Sequence, residues 1–150
     1  MRTKIWLLGL MFLASCSSSQ SGLPIGVRGL DYGGGPVVSV NFLTSREGAR
    51  FAGQSVQIRG FLSAKTSSIV TLFPHRDAAL MNDVPSSVML HNMPDEVASC
   101  LGHFVEVSGV FDYLDVETAL WPAITQTWRI TTVSPDGGMS SPSVCYKLDE

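Results

Sequence analysis

The side chains of this 150-residue sequence that could do chemistry are three cysteines, three histidines and one cluster of acids. Cys16 follows Leu13-Ala14-Ser15 at the end of an apolar run, and a cysteine thiolate is a good nucleophile and a site for covalent attachment. Cys100 and His103 have a spacing that a Cys–His nucleophile pair could use. A cysteine late in an amphipathic helix is more often a small core residue or half of a disulfide. His75-Arg76-Asp77 is the one local pairing of a histidine with an acid, while His91 and His103 stand far off in sequence; a useful metal site needs three or four convergent ligands, so the default is solvent-facing loop histidines. Asp112, Asp115 and Glu117 could bind Ca²⁺ or act as acid and base, and a solvated hairpin tip explains them as well. The sequence has no Gly-x-Ser-x-Gly elbow, no phosphate-cradling glycine loop and no His-Glu-x-x-His. It leads us to expect a chain that is not an enzyme, with no cofactor and no metal.

Around Cys16 the chain has signal-peptide anatomy: Arg2 and Lys4, then ten apolar or small residues over 5–14, then small residues before the cysteine. Ten residues fall short of the roughly 20 that cross a bilayer as a helix, so residues 1–15 are expected to be removed. Leu13-Ala14-Ser15-Cys16 resembles the lipobox of bacterial lipoproteins. That resemblance implies lipidation of Cys16: a diacylglyceryl group on its sulfur before cleavage on its N-terminal side, and commonly a third acyl chain on the new amine. One acyl chain binds a membrane marginally, at roughly 0.8 kcal/mol per buried methylene, whereas two or more hold stably. Ser17 rather than Asp after the cysteine implies, by the same resemblance, the inner leaflet of the outer membrane facing the periplasm in a Gram-negative source. In a Gram-positive source the motif implies the outer face of the plasma membrane. The competing reading is an ordinary secreted protein cut near Ala14.

Loss of residues 1–15 leaves eight basic against thirteen acidic residues, a formal charge of −5. Arg46, Arg50, Arg59 and Arg76 are scattered rather than striped, which argues against nucleic acid as a partner. Residues 16–36 are rich in Ser and Gly and read as a lipidated cysteine followed by a flexible tether. Leu23, Ile25, Val27, Leu30 and Tyr32 are more apolar than a spacer needs and suit an added edge strand. The folded domain is expected over 37–135, with a C-terminal tail over 136–150.

The strongest internal pattern is Gly-x-x-Val-x-(Ile/Val)-x-Gly, present at 53–60 and again at 102–109. An opening glycine permits positive φ. The alternating β-branched residues face a core while Gln57, Arg59, Glu106 and Ser108 point out, and the closing glycine allows a sharp bend. Further strands are expected at 68–73, 87–91 and 127–133. Helices are expected at 95–101, started by Pro94 and Asp95 and ended by Gly102, and at 43–51, capped by Thr44 or Ser45 and weakened by Gly48. The order resembles that of the OB-fold, a five-stranded Greek-key β-barrel, which leads us to expect a mainly β chain with one or two short helices. It resembles small exported or lipid-anchored OB-fold proteins of bacteria, which carry phrases like Phe51-Ala52-Gly53-Gln54-Ser55-Val56-Gln57-Ile58-Arg59-Gly60-Phe61-Leu62. The competing fold is an open antiparallel α+β sandwich.

OB-folds present ligands on the face of strands two and three and the adjoining loops, which nominates Phe73, Tyr113 and Trp121 as a ligand surface and leaves Trp128 to the core. With Cys16 lipidated, Cys100 and Cys145 remain, and in an oxidising compartment they can pair; the alternative is a buried free Cys100 and a mobile Cys145. Two function classes follow. One is a non-catalytic, membrane-anchored envelope module that binds a protein, peptide or glycan. The other is a metal-dependent or hydrolytic accessory enzyme built around His75, Asp77, His91 or His103.

Overall fold

The computed structural model describes residues 27–28, 35–66, 69–116, 119–134 and 143–148. The expected leader, Cys16 and most of the tether lie outside the described residues. Among those described, no helix is long and apolar enough to cross a membrane.

The two glycine-bounded segments become β3 (Gln54–Thr66) and β6 (Phe104–Val116), which pair antiparallel from Gln54↔Phe111 to Phe61↔Phe104. The glycines act in two distinct ways. Gly53 and Gly102 sit at φ +74° and +80° with nothing within 4 Å of where a Cβ would be, so the backbone angle is what demands glycine there. Both N–H groups donate at 2.8 Å to the opposite repeat, Gly53 to Phe111 O and Gly102 to Leu62 O. At Gly60 and Gly109 the constraint is space: a Cβ would strike the Phe73 carbonyl oxygen in one case and Ile124 and the Gln126 carbonyl in the other. The β6 ladder shifts register beside Gly109, where the strand bends.

Three more strands close the barrel: β4 (Ile69–Phe73), β5 (Val88–Leu90) and β7 (Ala119–Thr132). β3 pairs β4 and β4 pairs β5, both antiparallel; β5 pairs β7 parallel, β7 pairs β6 antiparallel, and β6 returns to β3. This circuit is the OB-like five-stranded barrel, mainly β, and an open sandwich does not describe it. Outside it, β1 (Val27–Arg28) pairs β2 (Val37–Ser39), which runs parallel to β3. β8 (Val144–Lys147), in the segment read from sequence as a tail, pairs antiparallel with β7.

Val56, Ile58, Leu62, Leu72, Val88, Val105, Val107, Phe111, Ile124 and Ile130 fill the barrel at 0 % exposure, the inward half of the expected alternation. On the outer face Arg59 and Glu106 stand opposite each other and form a 2.7 Å ion pair. Gln57 and Ser108, expected to point to solvent, also oppose each other on that face but are buried.

The expected helix over 43–51 is two shorter pieces. α1 (Val40–Leu43) is capped by Ser39, whose Oγ accepts from Phe42 N–H, and a 3-10 turn follows over Arg46–Phe51. Ser45 stands at the N-cap of that turn, as expected, but makes no side-chain capping bond; its hydroxyl donates to Phe42 O at 2.6 Å. Gly48 lies against the Leu43 backbone, leaving no room for a side chain, so the glycine that weakens a continuous helix lets the turn fold back on α1. The second expected helix is a 3-10 turn over Asp95–Cys100. Val97 and Cys100, three apart, are its two buried residues, which matches three residues per turn. α2 (Arg76–Leu80) follows β4.

Candidate functional site

Pairing of β3 with β6 places Phe61 directly opposite Phe104, at the end of the ladder opposite the Gln54–Phe111 pair. Their rings meet edge to face, 5.6 Å apart at 72°, and both are half-buried. Phe61 is also in register with Phe73 of β4, and Phe104 O accepts from Val133 N–H at 2.9 Å, so an apolar row crosses β4, β3 and β6 and reaches the residue that follows β7. A cleft of about 760 Å³ opens over the middle of this row, lined by Phe61, Phe104 and Val133.

Its polar walls come from distant parts of the chain. Arg76, the first residue of α2, and His103, in the turn before β6, also line it, and both are exposed. His103 Nδ1 lies 3.1 Å from Leu101 O; with the proton on Nδ1, Nε2 is left as an acceptor. Ser99 supplies a hydroxyl that donates to Glu96 O at 2.9 Å and keeps lone pairs for another donor. Thr132 and Ser143 face the cleft and tie to each other, Ser143 N–H donating to Thr132 Oγ1 at 3.0 Å. Among the described residues the lining holds no Asp or Glu, and Arg76 has no ion-pair partner.

The walls are held by a disulfide. Cys100 and Cys145 are joined, with Cα atoms 5.9 Å apart, inside the range a disulfide spans. The bond fixes the 3-10 turn that carries Ser99 to the strand that follows Ser143. Of the residues nominated from sequence, these two are the ones brought together.

The nominated aromatic surface is not assembled. Phe73 is 4 % exposed and has no free face for a ligand. Tyr113 packs on buried Phe111, ring centroids 5.4 Å apart, and burial pushes its phenol up from the ordinary value. Trp121 opposes Leu114 while Tyr113 opposes Pro122, so the two rings lie on opposite faces of the β6–β7 ribbon. Trp128, expected in the core, is half-buried, and its carbonyl accepts from Leu148 N–H.

The candidate catalytic and metal residues stay dispersed. His75 caps α2, its Nδ1 accepting from Ala78 N–H at 3.1 Å, and Asp77 is exposed beyond it. His91 is half-buried beyond β5. Asp112 accepts from Tyr113 N–H through its side chain, Asp115 lies on the opposite face of the ribbon, and Glu117 is outside the described residues. Among the described residues no three His, Cys, Asp or Glu side chains converge as a metal site would require.

The cleft was missed from sequence because both phenylalanines occupy outward strand positions that only the register makes adjacent. The available signal was an apolar residue where alternation calls for a polar one: Phe61 follows Gln57 and Arg59, and Phe104 precedes Glu106 and Ser108. Comparison of the chain with protein-family models, with curated proteins and with solved structures finds no match.

Proposed function

We propose that this chain is a membrane-anchored envelope lipoprotein whose barrel is a non-catalytic binding module, taking a protein, peptide or glycan in the cleft over Phe61 and Phe104. The supporting observation is the half-buried aromatic pair in a cleft also lined by an arginine that has no ion-pair partner among the described residues. A folded domain gains stability by covering such rings, and two partly accessible rings in a cleft that a cation also lines form a surface that a partner can desolvate. The cleft volume falls within the roughly 300–1,000 Å³ of small-ligand sites. Cys16, through its lipid, holds the module at the membrane, which raises its effective concentration near a partner in the same envelope.

The test has two parts. Cys16→Ser should move the protein from the membrane to the soluble fraction; a variant with its leader cleaved that stayed fully membrane-bound would contradict the anchor. A benzophenone side chain at Thr132 should give a discrete adduct in cells, and one at Leu120, 69 % exposed near the β6–β7 turn, should not. Equal labelling at both positions would contradict a module that binds through the cleft.

A further inference from the structure

We propose that the ligand of this cleft is the free carboxyl terminus of a peptide or protein whose last residue is apolar. The inference rests on the binding-module reading above and names what the cleft takes.

Charge comes first. In a chain with 13 acidic and 10 basic residues, the described lining holds Arg76 and His103 and no carboxylate. The Arg76 guanidinium is exposed and unpaired among the described residues. A guanidinium presents two parallel N–H donors that match the two oxygens of a carboxylate. A second pair in the same molecule serves as an internal control: the Phe42–Phe51 pair, 5.8 Å apart and edge to face, also has an arginine beside it. There Arg50 lies 5.2 Å and 5.5 Å from the two ring centres and is neutralised by Glu47 at 3.6 Å. Among the described residues Arg76 has neither arrangement, which leaves its charge open to an anion from outside.

Shape and hydrogen bonding then select the anion. The half-buried rings of Phe61 and Phe104 that line the cleft call for an apolar group joined to the carboxylate, as in a C-terminal Phe, Leu or Met. The Ser99 hydroxyl, already donating to Glu96 O, offers lone pairs to a ligand N–H such as that of a peptide bond. Gly102, with open space where a Cβ would stand, lets a ligand backbone approach closely. A sugar fits less well: its hydroxyls need acceptors, and the described lining has no carboxylate or carboxamide side chain. A phosphate dianion would ask for more positive charge than one guanidinium supplies.

The experiment uses the purified lipidated protein in lipid nanodiscs, with empty nanodiscs as blank, and three fluorescein-labelled pentapeptides read by polarisation. These are Gly-Ser-Gly-Ala-Phe with a free carboxylate, the same peptide as the C-terminal amide, and Gly-Ser-Gly-Ala-Ser with a free carboxylate. The free acid ending in Phe should bind about tenfold or more tightly than either of the others, the loss expected for one charge-assisted contact or one apolar anchor. Arg76→Gln should bring the acid down to the level of the amide and leave the amide unchanged. Because Arg76 is exposed, the variant should keep its melting temperature, and a conserved Tm makes the loss specific. Equal binding of acid and amide, or an acid-to-amide ratio that survives Arg76→Gln, would overturn the carboxylate assignment. If no peptide bound while benzophenone at Thr132 still gave its discrete adduct, the ligand class would fall and the binding-module reading would stand. If peptide binding and that adduct were both missing, both readings would fall.

Discussion

Two edge-to-face phenylalanine pairs, Phe42–Phe51 and Phe61–Phe104, each have an arginine nearby, and they have opposite fates. Phe42 and Phe51 are 9 % and 8 % exposed, belong to the hydrophobic core, and have Arg50 stacked over both rings and paired with Glu47. Phe61 and Phe104 lie on the outside of the barrel, half-buried, and their arginine has no ion-pair partner among the described residues. Among the described residues the same residue types are therefore completed internally in one pair and left incomplete in the other. Chemistry of this kind is assigned by what surrounds a group, and residue identity alone would have treated the two pairs alike.

The largest test of that contrast is truncation. Phe51→Ala should cost about 3–5 kcal/mol of unfolding free energy, as a buried aromatic does, whereas Phe61→Ala should cost clearly less, about 1–2 kcal/mol, and abolish ligand binding. Denaturant unfolding of both variants checks this; equal costs would erase the distinction between the pairs. Next in size is the staple beside the open pair. Cys145→Ser removes a bond spanning 45 residues and should lower stability by about 2–4 kcal/mol. It should also weaken ligand binding, since the strand after Ser143 loses its tie to the turn that carries Ser99. A variant with unaltered stability would show that the pairing does not constrain the chain.

A site belonging to neither pair provides a baseline. The Thr127 hydroxyl is buried on β7 with no hydrogen-bond partner among the described residues. Thr127→Val should therefore stabilise the fold by about 1 kcal/mol without touching ligand binding, a gain that thermal unfolding would register. The smallest effect separates the two arginines. Arg50→Gln should cost about 0.5–1 kcal/mol through the lost cation–π contact, while Arg76→Gln should change stability by less than about 0.5 kcal/mol. Paired melting curves decide it, and the comparison fails if Arg76→Gln is the more destabilising of the two.

The repeated glycine pattern made β3 and β6 legible, because a positive-φ opening and a crowded close each leave a mark on residue type. The buried alternation followed from the same segments. β7 was read too short, at 127–133 against Ala119–Thr132. Pro122 sits within it opposite Tyr113, and β5 pairs only with Ala123 and Ile124, so the edge beside Pro122 has no ladder partner to lose. The ligand surface was the least legible part. Phe73 was nominated by its place near the end of an OB strand, but register sets it beside Phe61 and leaves it buried. The cleft draws on residues from 61 to 143, and no local periodicity encodes a row that exists only across paired strands.

The contrast between the two pairs is tested most directly by NMR of isotopically labelled protein titrated with the free-acid peptide ending in Phe. We expect the ring resonances of Phe61 and Phe104 and the Arg76 Nε–H to shift with saturation, and those of Phe42, Phe51 and Arg50 to stay in place. Shifts at Phe42 and Phe51 instead, or saturable binding that leaves Phe61, Phe104 and Arg76 unmoved, would contradict the assignment of binding to the open pair.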